Sequence, residues 1–392
     1  MHDGSVVKKK VLHVIDSFGG GGAETWLLAT VKYLNLHPEL NMQFDFLASG
    51  GKTGIYDEEI NQLGSRIFYC KYSLRNFRVF SKAFKQILKE NKYTAIHNHQ
   101  DFISGWHFLS GKGFLPPIRI SHLHNPLNFV DNYVTNPIRW FSYKVGRLLT
   151  AWLATKITGT SNAVMDEYGY DKKPFKKKRV QPTYCGFETE KFFYNQTEGQ
   201  KIKAAFGWKP ESKIALFAGR IGLHDYDKAV NQKNPVFAFS MAKQLVKADS
   251  DWQFIFAGFK GLLGEEMEKQ LLESGLDNRI KFLGLRNDMP ALFSASDVLV
   301  FPSLWEGLGM VVVEAQANGL PVIASDKVPE EAFIKQELIT RKGLVEPVME
   351  WVNAILETES ADNSVRQQYN VSLKHSVFSI ENSVQNLLSL YN

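Results

Sequence analysis

The stretch "DVLVFPSLWEGLGMVVVEAQANGLPVIAS" (297–325) contains two short apolar runs that enclose a glycine-broken loop and a helical pattern. A strand, a helix and a second strand in this order form a βαβ unit, which builds parallel sheets with helices on their faces. The loop and the helical pattern carry two glutamates, Glu306 and Glu314. Glu314 falls within an otherwise apolar run, where burying an unpaired carboxylate is costly. The stretch therefore predicts an α/β fold and a partner for Glu314.

The same rhythm of strands and helices extends through the whole chain. In the second half, "KIALFAGR" (213–220) and "WQFIFAG" (252–258) are continuous apolar runs separated by helical patterns. In the first half, "VLHVID" (11–16) and "IRISHLH" (118–124) behave alike. Such strands are typical of parallel sheets that helices cover on both faces. Because the rhythm pauses over residues 186–212, the sequence predicts two doubly wound domains with a linker there.

Composition narrows the class of protein. The chain has 392 residues, 44% of them hydrophobic and 22% charged, as expected for a soluble protein of two domains. No run approaches the ~18 apolar residues of a membrane-spanning helix, and the first residues resemble neither a signal peptide nor an anchor. Only two cysteines are present, Cys70 and Cys185, which favours a reducing, cytoplasmic setting.

The two halves of the chain differ in charge. Residues 1–196 contain 26 Lys and Arg against 16 Asp and Glu, whereas residues 197–392 contain 20 against 25. The first half therefore carries a net charge of +10 and the second a net charge of −5. An anionic partner of the basic half would explain this difference, and solubility alone explains it equally well.

The segment "LRNFRVFSKAFKQILKENKY" (74–93) predicts a basic amphipathic helix, because its cations recur every three or four positions. Phenylalanines occupy the opposite side of the predicted helix. One interpretation is a surface that meets anionic lipid or an anionic acceptor; the other is a packed helix with a solvated face. The cations placed on this acceptor or membrane side are Arg75, Arg78, Lys82 and Lys85.

A glycine-rich loop, "DSFGGGGAETW" (16–26), follows the first predicted strand and precedes a helix. Consecutive glycines allow backbone N–H groups to approach an anion at a helix N-terminus. The loop lacks the G-x-G-x-x-G pattern of nicotinamide-cofactor domains and the Gly-Lys-Ser/Thr of a P-loop. A ligand loop and a plain tight turn both remain open.

Four histidines occupy the ends of two predicted strands, in "IHNHQ" (96–100) and "ISHLHN" (120–125). Ligands of open α/β sheets bind at this edge. A His-x-His pair is compatible with a metal, but no third ligand follows with a spacing such as H-E-x-x-H, so no metal site is predicted. His124 is the best functional candidate because it ends its strand, and His122 is the fallback if the register slips by two residues.

Cations also follow a strand in the second half. Arg220 comes directly after "KIALFAG", and Lys233 precedes the next helical pattern. Two cations and a helix N-terminus at one sheet edge suit a diphosphate. Gly307 and Gly309 then open the helical pattern that carries Glu314.

Together, "GGAE", "GR…QKN" and the Glu-x7-Glu block resemble the retaining glycosyltransferases of family 4. The resemblance covers nearly the whole chain and implies the GT-B architecture, two Rossmann-like domains facing a cleft. It assigns 1–195 to an acceptor-binding domain, joined by a tail helix (372–392) that crosses back to it, and 196–371 to a nucleotide-sugar-binding domain. "GGGGAETW" and "RISHLHN" are most similar to members that build bacterial capsular or exopolysaccharide.

The resemblance also implies roles for individual residues. Arg220 and Lys233 would bind the donor diphosphate. Glu306 would contact the transferred sugar and Glu314 the ribose hydroxyls. His124 would lie near the sugar, so Glu306, His124, Arg220 and Lys233 form the implied catalytic set. The other implied donor-binding positions are Gly21, Gly22, Gly219, Leu285, Arg286, Gly307, Gly309, Met310 and Val311.

One feature departs from the family pattern. Twelve residues separate Arg220 from Lys233, about twice the separation usual in the family. Either a loop is inserted and the site is kept, or Lys233 is displaced and Lys228 is the alternative cation.

The function implied is transfer of a hexose, with retention, from a nucleoside diphosphate sugar, UDP-sugars being favoured. The acceptor would be a glycan or an undecaprenyl-type lipid-linked sugar in bacterial surface polysaccharide synthesis. No cofactor, metal or nucleic acid is expected, and the expected location is cytoplasmic, with possible peripheral contact at the inner face of the plasma membrane. The alternatives are a sugar-nucleotide epimerase or hydrolase of the same fold and a non-catalytic partner subunit.

Overall fold

The computed structural model describes residues 8–127, 130, 134–170, 172, 178–222, 231–359 and 362–392. The chain divides into two compact units. Unit 1 comprises Met1–Phe187 together with Val377–Asn392, and unit 2 comprises Glu188–Ser376. The division between the units therefore falls at Phe187 and again at Ser376, whereas the sequence placed it after residues 195 and 371.

Unit 1 is built on a six-stranded parallel sheet with the order β3-β2-β1-β4-β5-β6. This is the strand order of a Rossmann-like doubly wound fold. The inner strands are buried, which explains their continuous apolar sequences. The strands are β1 (Lys9–Ile15), β2 (Met42–Ala48), β3 (Ile67–Tyr69), β4 (Ala95–Asn98), β5 (Ile118–Leu123) and β6 (Lys156–Gly159).

Helices follow the strands of unit 1, as the sequence pattern predicts. Ser73 and Asn76 form a reciprocal side-chain cap just before the basic helix, and Lys92 ends that helix in a left-handed conformation. The predicted basic helix is thus confirmed, with slightly shorter bounds. The helices are α1 (Gly22–Leu36), α2 (Asp57–Gln62), α3 (Phe77–Asn91), α4 (Ser104–Ser110), α5 (Pro137–Leu153) and α6 (Asn162–Glu167).

Unit 2 contains a second six-stranded parallel sheet, ordered β12-β11-β10-β7-β8-β9. Its strands are β7 (Lys213–Ala218), β8 (Trp252–Ala257), β9 (Ile280–Phe282), β10 (Val298–Phe301), β11 (Val322–Ser325) and β12 (Ile339–Lys342). Its helices are α7 (Gln196–Ala205), α8 (Pro235–Ala248), α9 (Leu262–Ser274), α10 (Met289–Ala295), α11 (Met310–Ala317), α12 (Val348–Leu356) and α13 (Asn363–Leu373). The predicted fold of two Rossmann-like halves is confirmed.

The stretch 297–325 forms the predicted βαβ unit, with β10, α11 and β11 in succession. β10 and β11 pair in parallel, with Leu299 opposite Val322. Both strands are fully buried, and so are most residues of α11. The sheet therefore fixes where α11 begins, next to the loop that carries Glu306.

The last helix, α14 (Ile380–Ser389), belongs to unit 1 and contacts α1. The indole Nε1 of Trp26 donates a hydrogen bond of 2.9 Å to Ser383 Oγ. Ser383 Oγ in turn donates to the carbonyl oxygen of Tyr184 at 2.7 Å. Trp26 and Ser383 are both almost fully buried, so one hydroxyl satisfies two polar groups in the core between α14 and α1.

Replacing Ser383 by Ala should lower the free energy of unfolding by about 1–3 kcal/mol, because it removes the acceptor of a buried indole N–H and a donor to the carbonyl oxygen of Tyr184. Urea unfolding followed by tryptophan fluorescence measures the change. Ser389→Ala, at an exposed position of the same helix, is the control and should change the free energy by less than about 0.5 kcal/mol. Equal effects of both substitutions would contradict the stabilising role of Ser383.

Candidate functional site

Three residues converge at the carboxyl edge of the sheet in unit 2. Lys233 Nζ lies 2.5 Å from Glu306 Oε1, and the two side chains form an ion pair. The lysine side chain runs directly over Gly219, where an added Cβ would lie 2.8 Å from Lys233 Cγ. A side chain larger than hydrogen at position 219 would therefore push the lysine away. Ligands of open α/β sheets bind at this edge, so the ion pair lies where a ligand is expected.

The position of Lys233 is fixed by the residue before it. The backbone N–H of Leu304 donates to the carbonyl oxygen of Gln232 at 2.8 Å, and Gln232 Nε2 donates to the carbonyl oxygen of Trp305 at 2.9 Å. The ammonium group of Lys233 also lies 4.7 Å from the centre of the Phe301 ring, a cation–π contact.

The twelve-residue separation from Arg220 therefore does not carry Lys233 away from Gly219 and Glu306. The alternative cation, Lys228, lies outside the described residues, with the rest of 223–230.

Glu306 is only 7% exposed, yet its charge is balanced by Lys233. A buried charge costs several kcal/mol when it is unpaired, so the contact with Lys233 offsets the cost of burying Glu306. An anion that entered this site would share the ammonium group with Glu306. The pair has no net charge, but it holds the ammonium group of Lys233 in place before any ligand arrives.

The N-terminus of α11 faces the same sheet edge, after the loop that contains Glu306. Gly309 precedes the helix with a φ of +93°, a conformation that strongly favours glycine. No side chain caps this end of the helix. The backbone N–H groups of Met310 and Val311 belong to the first turn, which carries a partial positive charge. The geometry suits an anionic ligand.

Glu314 lies in the second turn of α11 and is half-buried. No hydrogen bond or ion pair of its carboxylate is found within the described part of the chain. Burial raises the pKa of this carboxyl to about 7. The partner that the sequence demands for Glu314 is therefore not supplied by the described protein residues, which leaves the carboxylate available to a ligand.

The other predicted donor-binding residues of unit 2 differ in how freely their side chains could contact a ligand. Arg220 is exposed immediately after Gly219, and Leu285 is also exposed. Arg286 is engaged by Asp288, with Nε and Nη2 at 2.7 and 2.5 Å from the two carboxylate oxygens. Its charge is therefore already balanced, unlike the charge of Arg220, for which no ion pair is found among the described residues.

Gly21 and Gly22 lie at the start of α1 in unit 1, Gly21 as the residue before the helix. The carboxylate of Glu24 folds back towards this turn, so that a Cβ at Gly21 would lie 2.5 Å from Glu24 Oε2. The N-terminus of α1 therefore already has an acidic neighbour, which the sequence pattern does not reveal.

Unit 1 contains five histidines on one face of its sheet, which we call the histidine cluster. They come from β1, from β4 and the residue after it, and from β5 and the residue after it. The set is His13, His97, His99, His122 and His124. Sequence reasoning placed four of these histidines at two strand ends but weighed each strand separately, so it predicted neither the contacts between the rings nor the inclusion of His13. The alternation of His97 with His99 and of His122 with His124 was the available signal.

The ring nitrogens of the cluster bond to one another. His99 Nδ1 lies 2.9 Å from His124 Nε2, and His99 Nε2 lies 2.9 Å from His13 Nδ1. His97 Nε2 lies 3.2 Å from His122 Nδ1, and His97 Nδ1 lies 2.8 Å from the hydroxyl of Tyr391. His124 is half-buried at the end of its strand whereas His122 is fully buried, which favours His124 as the residue that can reach a ligand.

Desolvation lowers the pKa of every imidazole in the cluster, to about 3 for His13 and His124. The five rings are therefore neutral at physiological pH. The carboxylate of Asp101 lies beside the cluster and accepts the backbone N–H of His124 at 2.7 Å.

The cations of the basic helix face away from the core. Arg75, Arg78 and Lys82 are exposed and Lys85 is half-buried, while Phe80, Phe84 and Leu88 are buried. None of the four cations forms an ion pair with another described residue. A solvated face and a surface for an anionic partner both agree with this arrangement.

Two family models match the chain. "Glycosyl transferases group 1" matches residues 199–370, and "Glycosyltransferase Family 4" matches residues 20–191. The first match covers most of unit 2 and the second covers most of unit 1.

Relatives and a solved structure agree with these matches. EpsF of Bacillus subtilis (strain 168), which is named as a glycosyltransferase, is 30% identical over 98% of this chain and 97% of its own. A UDP-Gal:alpha-D-GlcNAc-diphosphoundecaprenol alpha-1,3-galactosyltransferase of Escherichia coli is 26% identical over 76% of this chain and 75% of its own. The crystal structure of Anabaena HepE in complex with UDP and glucose matches with a TM-score of 0.75 at 16% identity, covering 97% of this chain and 98% of that one.

Replacing Glu314 by Gln should stabilise the ligand-free protein at pH 8 but not at pH 4. The pKa of this carboxyl is raised to about 7 in the folded protein, above its value in the unfolded chain. Ionisation of the unfolded chain therefore comes first as the pH rises, and the folded state loses stability between about pH 4.5 and 7. Above pH 7 the amide should recover about 1–3 kcal/mol.

Thermal unfolding across this pH range tests the expectation. Glu273→Gln, which removes an exposed carboxylate from α9, is the matched control and should show no pH-dependent gain. If the difference in melting temperature between Glu314→Gln and the wild type is the same at every pH, ionised Glu314 does not destabilise the folded protein.

Proposed function

This chain belongs to the glycosyltransferases of family 4, and on that premise we propose that it transfers a hexose from a nucleoside diphosphate sugar to a glycan or lipid-linked acceptor. The observation that carries the proposal is one sheet edge in unit 2. There, the Lys233–Glu306 pair joins the carboxyl ends of the neighbouring strands β7 and β10. The uncapped N-terminus of α11 and the unpartnered Glu314 follow β10.

The positive groups of this edge suit the donor diphosphate. Lys233 is already positioned by Glu306, and exposed Arg220 follows the neighbouring strand end. As the bond to the sugar breaks, negative charge grows on the leaving diphosphate. Fixed cations and the N–H groups of Gly309, Met310 and Val311 would lower the barrier by stabilising that charge.

The two glutamates would bind opposite ends of the donor. Glu306 shares its charge with Lys233 and keeps carboxylate lone pairs for the hydroxyls of the transferred sugar. Glu314, in the second turn of α11, would accept the ribose hydroxyls. Ribose would give Glu314 the hydrogen bonds that the described protein residues do not. UDP-sugars are favoured as donors because the E. coli relative is named for UDP-Gal and the HepE structure holds UDP and glucose.

We propose that transfer retains the anomeric configuration, with the acceptor attacking the face from which the diphosphate leaves. Glu306 is a poor candidate for a covalent nucleophile because its charge is held by Lys233. The acceptor proton would pass to the leaving phosphate.

His124 of unit 1 would contact the sugar, and Gly21 and Gly22 would approach the diphosphate. The support for these roles in unit 1 is the family pattern together with the half-buried position of His124 at its strand end.

The diphosphate would be stabilised without a metal ion. The groups near the Lys233–Glu306 pair are cations and backbone N–H groups, whereas Mg²⁺ and Mn²⁺ prefer several oxygen ligands. Within the described residues, the side-chain clusters suited to a metal lie in unit 1 and consist of histidines alone.

The proposed acceptor is attached to a lipid, so a membrane surface would help the enzyme to reach it. α5 presents an apolar stripe at positions spaced by three and four residues: Ile138, Phe141, Val145, Leu148 and Trp152. Four of these five side chains are 58–73% exposed, and Val145 is half-buried. An exposed stripe of this kind on the surface of a helix is typical of binding to a membrane interface.

Cations accompany the stripe. Lys144 Nζ lies 5.6 Å from the ring centre of Trp140, and Lys112 Nζ lies 5.6 Å from the ring centre of Trp152. The cations of α3, in the same unit, add further positive charge. We propose that unit 1 binds the anionic inner face of the plasma membrane through α5, assisted by α3. No helix among the described residues has the length and apolarity needed to cross a bilayer.

Incubation with UDP-, GDP- and ADP-hexoses, with and without an undecaprenyl diphosphate-linked sugar, tests the function. We expect acceptor-dependent release of nucleotide from a UDP-hexose, and proton NMR of the product should show the donor's anomeric configuration. Lys233→Met should lower kcat by roughly 10²–10³-fold because it removes a charge that stabilises the leaving group.

Lys247→Met, at an exposed position of α8, is the control and should leave the rate unchanged. Nucleotide release without any acceptor product would favour a hydrolase or epimerase. No release with any donor would rule out the proposed activity.

Replacing Phe141, Leu148 and Trp152 together by Ser should abolish most binding to vesicles of phosphatidylglycerol, measured by sedimentation. Each substitution removes apolar surface that the lipid would otherwise cover, and the lost binding free energy is about 25 cal/mol per Å² of that surface. Neutralising Arg75, Arg78, Lys82 and Lys85 with Gln should weaken the same binding mainly at low salt.

A paired substitution, Leu272→Ser with Val371→Ser, provides the control, because both residues are exposed apolar residues of unit 2. Binding that survives the α5 substitutions, or that falls equally with the control, would exclude α5 as the membrane contact.

A further inference from the structure

Three members of the histidine cluster approach one another closely. One ring nitrogen from each of His99, His122 and His124 lies within 4.8 Å of the other two. His122 and His124 are two positions apart on one extended segment, so they point to the same face of the sheet. His99 reaches the same place from the neighbouring strand, since β4 and β5 pair in parallel. The sheet therefore supplies the third nitrogen that the spacing within either segment lacks.

His122 contains an unsatisfied nitrogen. Its Nδ1 contacts His97, whereas its Nε2 is buried and meets only the backbone of Thr183, without a hydrogen bond of good geometry. A buried polar atom without a partner costs about 1–3 kcal/mol, so such an atom in a native protein calls for an explanation. A ligand that accepts a nitrogen lone pair would satisfy it.

The hydrogen bonds around the cluster already orient the required lone pairs. If His99 donates from Nε2 to His13, its Nδ1 is left with a lone pair. If His122 donates from Nδ1 to His97, its Nε2 is left with a lone pair. These are the outer contacts that fix the tautomer of a metal-bound histidine.

A histidine ligates a metal as a neutral imidazole, in which one ring nitrogen keeps its lone pair. Only His124 would need to carry its proton on Nδ1, because its Nε2 faces His99.

We propose that His99 Nδ1, His122 Nε2 and His124 Nε2 bind one Zn²⁺ ion. Three neutral imidazoles form a donor set that suits zinc, and they leave a fourth position for water or a hydroxyl group. Zn–N bonds of about 2.0–2.1 Å place tetrahedral nitrogens about 3.3 Å apart. His99 Nδ1 and His124 Nε2, now 2.9 Å apart, would separate slightly as the ion replaces the proton between them.

The surroundings of the site favour a cation. The carboxylate of Asp101 accepts N–H groups from His124 and Asn125 and lies beside the outermost ligand. His124 is half-buried, which gives an ion a route to the ligands. The site shares only His124 with the proposed transferase site, since the donor diphosphate residues belong to unit 2. Zinc binding measured without substrate therefore tests the metal site separately from the transferase activity.

Zinc binding to the full chain without a histidine tag tests the proposal. After treatment with a chelator and its removal, the protein is dialysed against Zn²⁺ and the bound metal is counted by mass spectrometry. We expect one Zn²⁺ per chain. His122→Asn keeps an amide near the position of Nδ1 and removes Nε2, so it should weaken zinc binding by at least about 100-fold, more than the loss of an outer contact.

His37→Asn is the matched control, since His37 is partly exposed and pairs with Glu39 outside the cluster; it should bind zinc as the wild type does. Two results would overturn the proposal. The first is a wild-type protein that binds far less than one Zn²⁺ per chain, and the second is a folded His122→Asn protein that binds Zn²⁺ as tightly as the wild type. The first result would mean that the cluster is a chain of hydrogen-bonded imidazoles only.

A second measurement needs no variant and therefore covers the case in which His122→Asn fails to fold. Co²⁺ added to the wild type should produce the intense visible absorption of a four-coordinate site, and one equivalent of Zn²⁺ should abolish it. Weak absorption of six-coordinate Co²⁺ alone would overturn the proposed ligand set.

Discussion

The ion pair between Lys233 and Glu306 is the interaction on which the candidate site of unit 2 depends. It joins the loop after β10 to the residues that precede α8, and two hydrogen bonds of Gln232 reinforce the same junction. The side chain of Lys233 packs over Gly219, and its ammonium group contacts the ring of Phe301 at the sheet edge. Since an unpaired buried charge would be costly, each partner holds the other in place. The positive charge is therefore positioned in advance, and little reorganisation is needed when an anion binds.

The two units place different side chains near the carboxyl ends of the strands in similar sheets. In unit 2, the edge collects cations and the positive end of α11. In unit 1, the corresponding face collects neutral imidazoles whose pKa is lowered by burial. The fold alone thus sets where functional groups lie, while the side chains decide which ligand they suit.

Much of the fold could be predicted because parallel strands appear as continuous apolar runs, as in β7, β8 and β10. The position of Lys233 could not be predicted from the sequence, because twelve residues separate it from Arg220. Its position depends on contacts of Gln232 with the loop at Trp305. Glu314 stood out in the sequence for a sound reason, since it remains without a partner among the described residues.

The ring contacts within the histidine cluster and the apolar stripe of α5 were not predicted. Motif spacing is read along the chain, whereas the histidines come together across three strands. The 3.6-residue period of α5 was visible, but periodicity does not say which face of a helix stays uncovered.

The position of α14 has a consequence for the order in which the protein folds during synthesis. Unit 2 is one continuous segment, whereas unit 1 needs Ser383 to pair with Trp26 and Tyr391 to pair with His97. A ribosome therefore releases the whole of unit 2 before unit 1 can be completed. The usual progression of nascent domains, from the N-terminus onwards, is reversed for this chain. The core of unit 1 therefore stays incomplete, and accessible to chaperones, until α14 and Tyr391 have been synthesised.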